Sequence, residues 1–127
     1  MHRVPITASG AAPSGGPFTP ALRVGDWVFL SGQGGFDPVT GELGDTIEEQ
    51  TDGTLRNVSA LLEAAGCSFS DVVSCLVHLS DLSDFPRFNA VYERYFPEPR
   101  PVRTTVGAPL VRGMIVEITV VAHRGLS

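Results

Sequence analysis

The chain contains no lysine, and all nine of its positive side chains are arginines. Chemistries that need a primary amine are thereby excluded, among them Schiff-base catalysis, a phosphate-loop lysine and covalent attachment of pyridoxal phosphate. Cysteine is scarce: Cys67 and Cys75 are the only two, and their spacing matches neither a zinc-ligand pattern nor a redox pair. A reducing cytoplasm is the default setting for such a chain. The histidines His2, His78 and His123 are too scattered for a local metal motif, so no metal or other cofactor is expected. No apolar run is long enough for a transmembrane helix, and Met1 to Pro17 lacks the basic start and apolar stretch of a signal peptide. Basic clusters are missing as well. With a net charge of −5 and the arginines dispersed, neither nucleic acid nor a membrane surface is an expected partner.

What is present fits one globular domain spanning residues 1–127, since 43% of residues are apolar and 18% charged. Ser9 to Pro20 is rich in Gly, Pro, Ala and Ser and reads as loop. Two strands, Ala21 to Val24 and Trp27 to Ser31, flank Gly25-Asp26, a two-residue turn whose glycine is free to take positive φ, so a hairpin is expected. A loop follows over Gly32 to Gly44. Thr46-Ile47-Glu48-Glu49 has capping-box spacing, Leu55, Val58, Leu61, Leu62 and Ala65 share one helical face, and Gly66 is a stop signal. Asp71 to Leu79 alternates as a central strand. Ser83 is placed to cap a second helix with Phe85, Phe88, Tyr92 and Tyr95/Phe96 on one stripe, and Pro86 fits its first turn. After the turn Pro97 to Pro101, strands are expected over Val102 to Val106 and Met114 to Ala122, with a further short one at Arg3 to Thr7. The order β-β-α-β-α-β-β places both helices on one sheet face through crossover connections. Apolar residues on both faces of several strands then call for identical subunits to cover the other face.

Few side chains stand out as chemical. The aromatic stripe reads as a face packed on the sheet, His78 as a satisfied structural histidine, Cys75 as a small core hydrophobe, and Cys67 as a thiol with nothing nearby to lower its pKa. Arg103 opens a short strand, and Glu117 interrupts one that is otherwise Met, Ile, Val and Thr. Both are candidates for a cleft. Pattern alone equally allows a half-exposed strand face for Glu117 and a surface position near a turn for Arg103.

Six segments carry a resemblance: Arg23-Val24-Gly25-Asp26, Leu30-Ser31-Gly32-Gln33, Asp37-Pro38 with Thr40-Gly41-Glu42, Phe88-Asn89-Ala90-Val91-Tyr92, Pro101-Val102-Arg103-Thr104-Thr105-Val106 and Val116-Glu117-Ile118. Together, in this order and spacing, they resemble the Rid (YjgF) family from about Pro17 to His123. The resemblance implies a chorismate-mutase-like α+β subunit, a mixed sheet of about six strands with two helices on one face, and a homotrimer with clefts between subunits. It implies an enzyme that hydrolyses small 2-imino and enamine acids to 2-keto acids and ammonia without a cofactor. Arg103 would bind the substrate carboxylate through a planar fork, and Glu117 would hold the hydrolytic water. Gly32, Asn89, Phe18 and Thr105 fall at the remaining substrate-binding positions. Two of these depart from the family's habit: Phe18 stands where tyrosine is usual, and Thr105 where cysteine is usual. A missing hydroxyl removes a hydrogen bond worth about 0.5–1.5 kcal/mol, which points to altered specificity. Two alternatives to a general scavenger are a hydrolase dedicated to one larger imine and a non-catalytic module that binds small carboxylates. Endoribonuclease activity, ascribed to some members, fits this acidic chain least.

Overall fold

The computed structural model describes residues 2–125. Its strands are β1 (Arg3–Ile6), β2 (Ala21–Val24), β3 (Trp27–Leu30), β4 (Val72–Leu79), β5 (Val102–Gly107) and β6 (Val116–His123). Two α-helices, α1 (Ile47–Ala64) and α2 (Phe85–Tyr92), lie between β3 and β4 and between β4 and β5. One sheet of order β1-β2-β3-β6-β4-β5 results, antiparallel throughout except for the parallel pair β4 and β5 joined by α2. This is the expected chorismate-mutase-like α+β arrangement. The hairpin turn forms with Gly25 at φ 61°, and Val24 pairs with Trp27.

The core lies between the sheet and the helices. Val28, Leu30, Cys75, Val77, Leu79, Ile118 and Val120 from the strands meet Leu55, Val58, Leu61 and Leu62 of α1 and Phe88 of α2 in one buried cluster. At the start of α1, the Thr46 hydroxyl accepts from the Glu49 amide at 3.1 Å. At its end Gly66 turns left-handed at φ 80°, Cys67 N–H donates to the Leu62 carbonyl, and Gly66 N–H donates to that of Glu63, the Schellman pattern.

Several boundaries differ from the sequence reading, most by a single residue, and three of them have a visible cause. Ser83 does not cap α2: it sits inside a 3₁₀ turn over Leu82–Asp84, where the Asp81 carboxylate accepts from the Ser83 amide, and α2 starts at Phe85. The helix stops at Tyr92 because successive i→i+3 bonds, Arg94 to Val91 and Tyr95 to Tyr92, tighten the chain into a turn. Phe96 still continues the stripe, stacked 4.4 Å from Tyr92. Strand β6 begins at Val116 and not at Met114, because the Ile115 amide donates to the Gln50 side chain instead of a neighbouring strand.

Among the described residues, no helix covers the opposite sheet face. Trp27, Phe29, Leu76 and Val106 are exposed large apolar side chains, and on their strands they alternate with buried or half-buried positions.

Candidate functional site

Glu117 belongs to the uncovered face, because on β6 it lies between Val116 and Ile118, both buried beneath the helices. Its carboxylate lies over Gly32. A Cβ at that position would stand 2.7 Å from the Glu117 carboxyl carbon and 2.9 Å from Oε2, so only glycine leaves room for the acid. The segment that carries Gly32 is fixed to β6 by Gln33, whose N–H and C=O exchange bonds of 2.9 and 3.0 Å with Ile118. These residues open onto a cavity of about 180 Å³ whose other walls include Phe18, Phe36, Arg112 and Met114. Phe18 is half exposed and presents its ring to this cavity. Asn57, buried on α1, braces the loop that supplies Gly34 and Phe36 by donating to both their carbonyls at 2.9 Å, while its Oδ1 accepts from Ala12 N–H at 3.0 Å.

Arg103 lies on the other face. It pairs in register with buried Cys75 on β4, whereas Glu117 pairs with His78, and successive strand residues point to opposite sides. The Arg103 guanidinium stacks on the aromatic stripe of α2, 4.7 Å from the centre of the Tyr92 ring and 5.5 Å from those of Phe85 and Phe88. The stripe therefore packs on the sheet, as expected, and also carries a cation that sequence periodicity does not reveal. Arg103, Tyr92 and Asn89 line a second cavity of about 340 Å³. Ion pairs among the described residues link Arg56 to Asp52, Arg87 to Glu48 and Asp84, and Arg100 to Glu98, leaving Arg103 without a carboxylate partner. Nearby, Asn89 Oδ1 and Thr105 Oγ1 are buried with no hydrogen-bond partner. Such atoms cost free energy in an empty site and regain it when a ligand with donors arrives.

Electrostatics behind Arg103 hold its neighbours neutral. Burial pushes the Cys75 thiol up to about 11, against the opposing pull of Tyr92 and Arg103, and burial likewise raises Tyr92. Cys67 is raised too, by burial and by Asp71, although Arg124 pulls the other way. Neither thiol is a nucleophile at neutral pH, as the sequence reading holds. His78 differs from expectation: its Nδ1 is buried without a hydrogen-bond partner. No group of His, Cys, Asp and Glu side chains suited to a metal ion exists among the described residues.

The six sequence candidates thus fall into two sets within one chain. Phe18, Gly32 and Glu117 share the cavity on the uncovered side, while Arg103, Asn89 and Thr105 gather on the helix side. Four residues escaped the sequence reading as site elements: Arg112 and Met114 as walls of the first cavity, Asn57 as its brace, and Tyr92 as the platform for Arg103. A buried asparagine on the apolar face of α1 was the one available signal.

Residues 9–124 match the family model described as Endoribonuclease L-PSP. A RutC family protein of Saccharolobus solfataricus is 46% identical over 126 residues, spanning 98% of this chain and 99% of its own. The 2-iminobutanoate/2-iminopropanoate deaminase of Mus musculus is 38% identical over 123 residues, spanning 94% of this chain and 90% of its own. Among solved structures, E. coli TdcF with bound serine aligns with a TM-score of 0.91 at 34% identity, over 95% of this chain and 98% of that one.

Proposed function

The chain belongs to the Rid (YjgF) family, and on that premise we propose that it hydrolyses small 2-imino and enamine acids to 2-keto acids and ammonia, in sites closed between copies of a homotrimer. The observation that carries this reading is the Arg103 guanidinium, stacked on aromatic rings at an open cavity with no acid to neutralise it. A planar fork of this kind suits a carboxylate bound by two parallel hydrogen bonds. Asn89 and Thr105 stand beside it with unused polar atoms. Because Glu117 lies on the opposite face of its own sheet, we assign the two halves of each site to neighbouring subunits. The apolar face with Trp27, Phe29 and Leu76 is the surface assigned to subunit contact.

In this mechanism Arg103 anchors the α-carboxylate and sets C2 of the imine against a water held by the Glu117 carboxylate. Water oxygen bonds to C2 as Glu117 takes its proton, the C=N π electron pair moves to nitrogen, and Glu117 passes that same proton to the nitrogen, becoming a carboxylate again. The resulting carbinolamine then loses its C–N bond: the hydroxyl oxygen forms the carbonyl, its proton returns through Glu117, and ammonia leaves. An enamine enters after protonation at its β-carbon gives the imine. No redox partner is needed. The mouse relative, named for deamination of 2-iminobutanoate and 2-iminopropanoate, supports this substrate class.

The test couples an amino-acid oxidase to ammonia detection, with semicarbazide present to trap the imine. The protein is expected to speed ammonia release and to lower semicarbazone formation from alanine or 2-aminobutanoate. Phe18, without the hydroxyl common at its position, favours one second reading, a non-catalytic module for small carboxylates. Keto-acid binding with no acceleration of ammonia release selects that module.

A further inference from the structure

We propose that Arg112 is the specificity-determining residue of the Glu117 cavity and selects imino acids that carry a second, side-chain carboxylate. The inference rests on the reading above, in which Arg103 of a neighbouring copy takes the α-carboxylate. Acidic side chains outnumber arginines by fourteen to nine in this chain, yet Arg112 takes part in no ion pair or hydrogen bond among the described residues. The central carbon of its guanidinium lies over the Phe36 ring, 4.1 Å from the centre, in the wall of the cavity that also holds Glu117. An aromatic ring takes up none of the guanidinium N–H donors, which have no hydrogen-bond partner among the described residues and can meet an anion.

Three features set where this exposed cation lies. Arg112 has φ 58° and ψ 26°, a left-handed conformation rare for a long side chain, which turns it within the 3₁₀ segment Val111–Gly113. Gly15 across the cavity has no side chain, and a Cβ there would collide with the guanidinium. Phe36 is itself held by Asn57, which binds its carbonyl. A cation built in this way beside the hydrolytic acid, with apolar Phe18 and Met114 on the remaining walls, is suited to a short-chain diacid. One end of the ligand would meet Arg103 and the other Arg112, leaving C2 between them and near the water on Glu117. An aliphatic side chain gains nothing from that donor set and leaves it desolvated.

The experiment uses the intact protein and two imines made in situ, 2-iminoglutarate from glutamate and 2-iminobutanoate from 2-aminobutanoate, with calorimetric binding of 2-oxoglutarate and 2-oxobutanoate in parallel. Arg112→Gly suits the positive φ, and Arg112→Gln keeps a polar side chain without the charge, so both are expected to fold. The parent is expected to favour the diacid in kcat/KM and in binding by about tenfold or more, and both variants to bring that ratio close to one. Equal treatment of the two classes by the parent overturns the inference. So does an equal loss on both substrates in the variants, which would make Arg112 an accessory to Glu117 or the α-carboxylate anchor itself. Arg112-dependent preference for 2-oxoglutarate in binding, with neither imine hydrolysed, upholds the role of Arg112 and removes the deaminase reading.

Discussion

At the scale of single residues, the proposed mechanism has Arg103 and Glu117 act on different parts of one substrate, so their loss should have different consequences. Arg103→Ala is expected to abolish keto-acid binding and hydrolysis together, because a charge-assisted fork worth about 1.5–3 kcal/mol disappears and the imine is no longer held. Glu117→Gln preserves size over Gly32 but is a poor proton acceptor. It is expected to retain much of the binding while hydrolysis falls by roughly a hundredfold or more. Calorimetry beside the ammonia assay separates the two outcomes, and full activity in either folded variant would sink the mechanism. Gly32 refines the sequence reading: its missing side chain makes room for the Glu117 carboxylate. The cysteines supply a further check. With both thiols buried and their pKa values raised, the native protein is expected to resist maleimide at pH 7.5 and to react at both positions once unfolded.

Among the elements, α1 is the one that ties fold to site. Its Asn57 satisfies two loop carbonyls and one amide, so Asn57→Ala strands polar groups of the cavity wall and is expected to cost about 3 kcal/mol, read as a lower urea midpoint. The link between the two helices is electrostatic at the surface: Arg87 of α2 donates to both carboxylate oxygens of Glu48 on α1, at 2.9 and 2.6 Å. Its bond from Arg87 is the main reason the Glu48 carboxyl stays below its ordinary value of 4.5. A depressed folded-state pKa contributes stability that is present above the unfolded value and lost as pH falls through the folded one. Thermal melts below about pH 4.5 are therefore expected to fall less steeply for Glu48→Gln than for the parent, and the difference to shrink in high salt. The pair is exposed, so the effect is small.

For the whole molecule, the sheet face without helices determines the expected assembly. Light scattering at micromolar concentration is expected to give a trimer. Phe29→Asp, on that face and outside the walls of both cavities, is expected to dissociate it and to remove imine hydrolysis with it, because Arg103 and Glu117 of one chain lie on opposite sides of the sheet. An active monomer would overturn the shared site. Neither effect needs a change in the subunit fold, which circular dichroism checks.

Local order in this protein is written locally. The Gly25 turn, the Thr46 cap, the Gly66 stop and the alternation of Ser74 to Leu79 depend on neighbours within a few residues, and sequence alone determined them, whereas a register shift between Val72 and Ser74 buries Val72 in place of the expected Val73. The six-segment resemblance likewise determined the family and named both halves of the site. Tertiary structure decided what each half faces. Insertion of β6 between β3 and β4 sets Glu117 opposite His78, and the parallel pairing of β5 sets Arg103 opposite Cys75. Strand parity is visible in a sequence, but which parity meets the helices depends on partners far away along the chain. The same holds for Arg112, which reads as an ordinary loop arginine until a left-handed backbone and the distant Phe36 place it in the cavity beside Glu117.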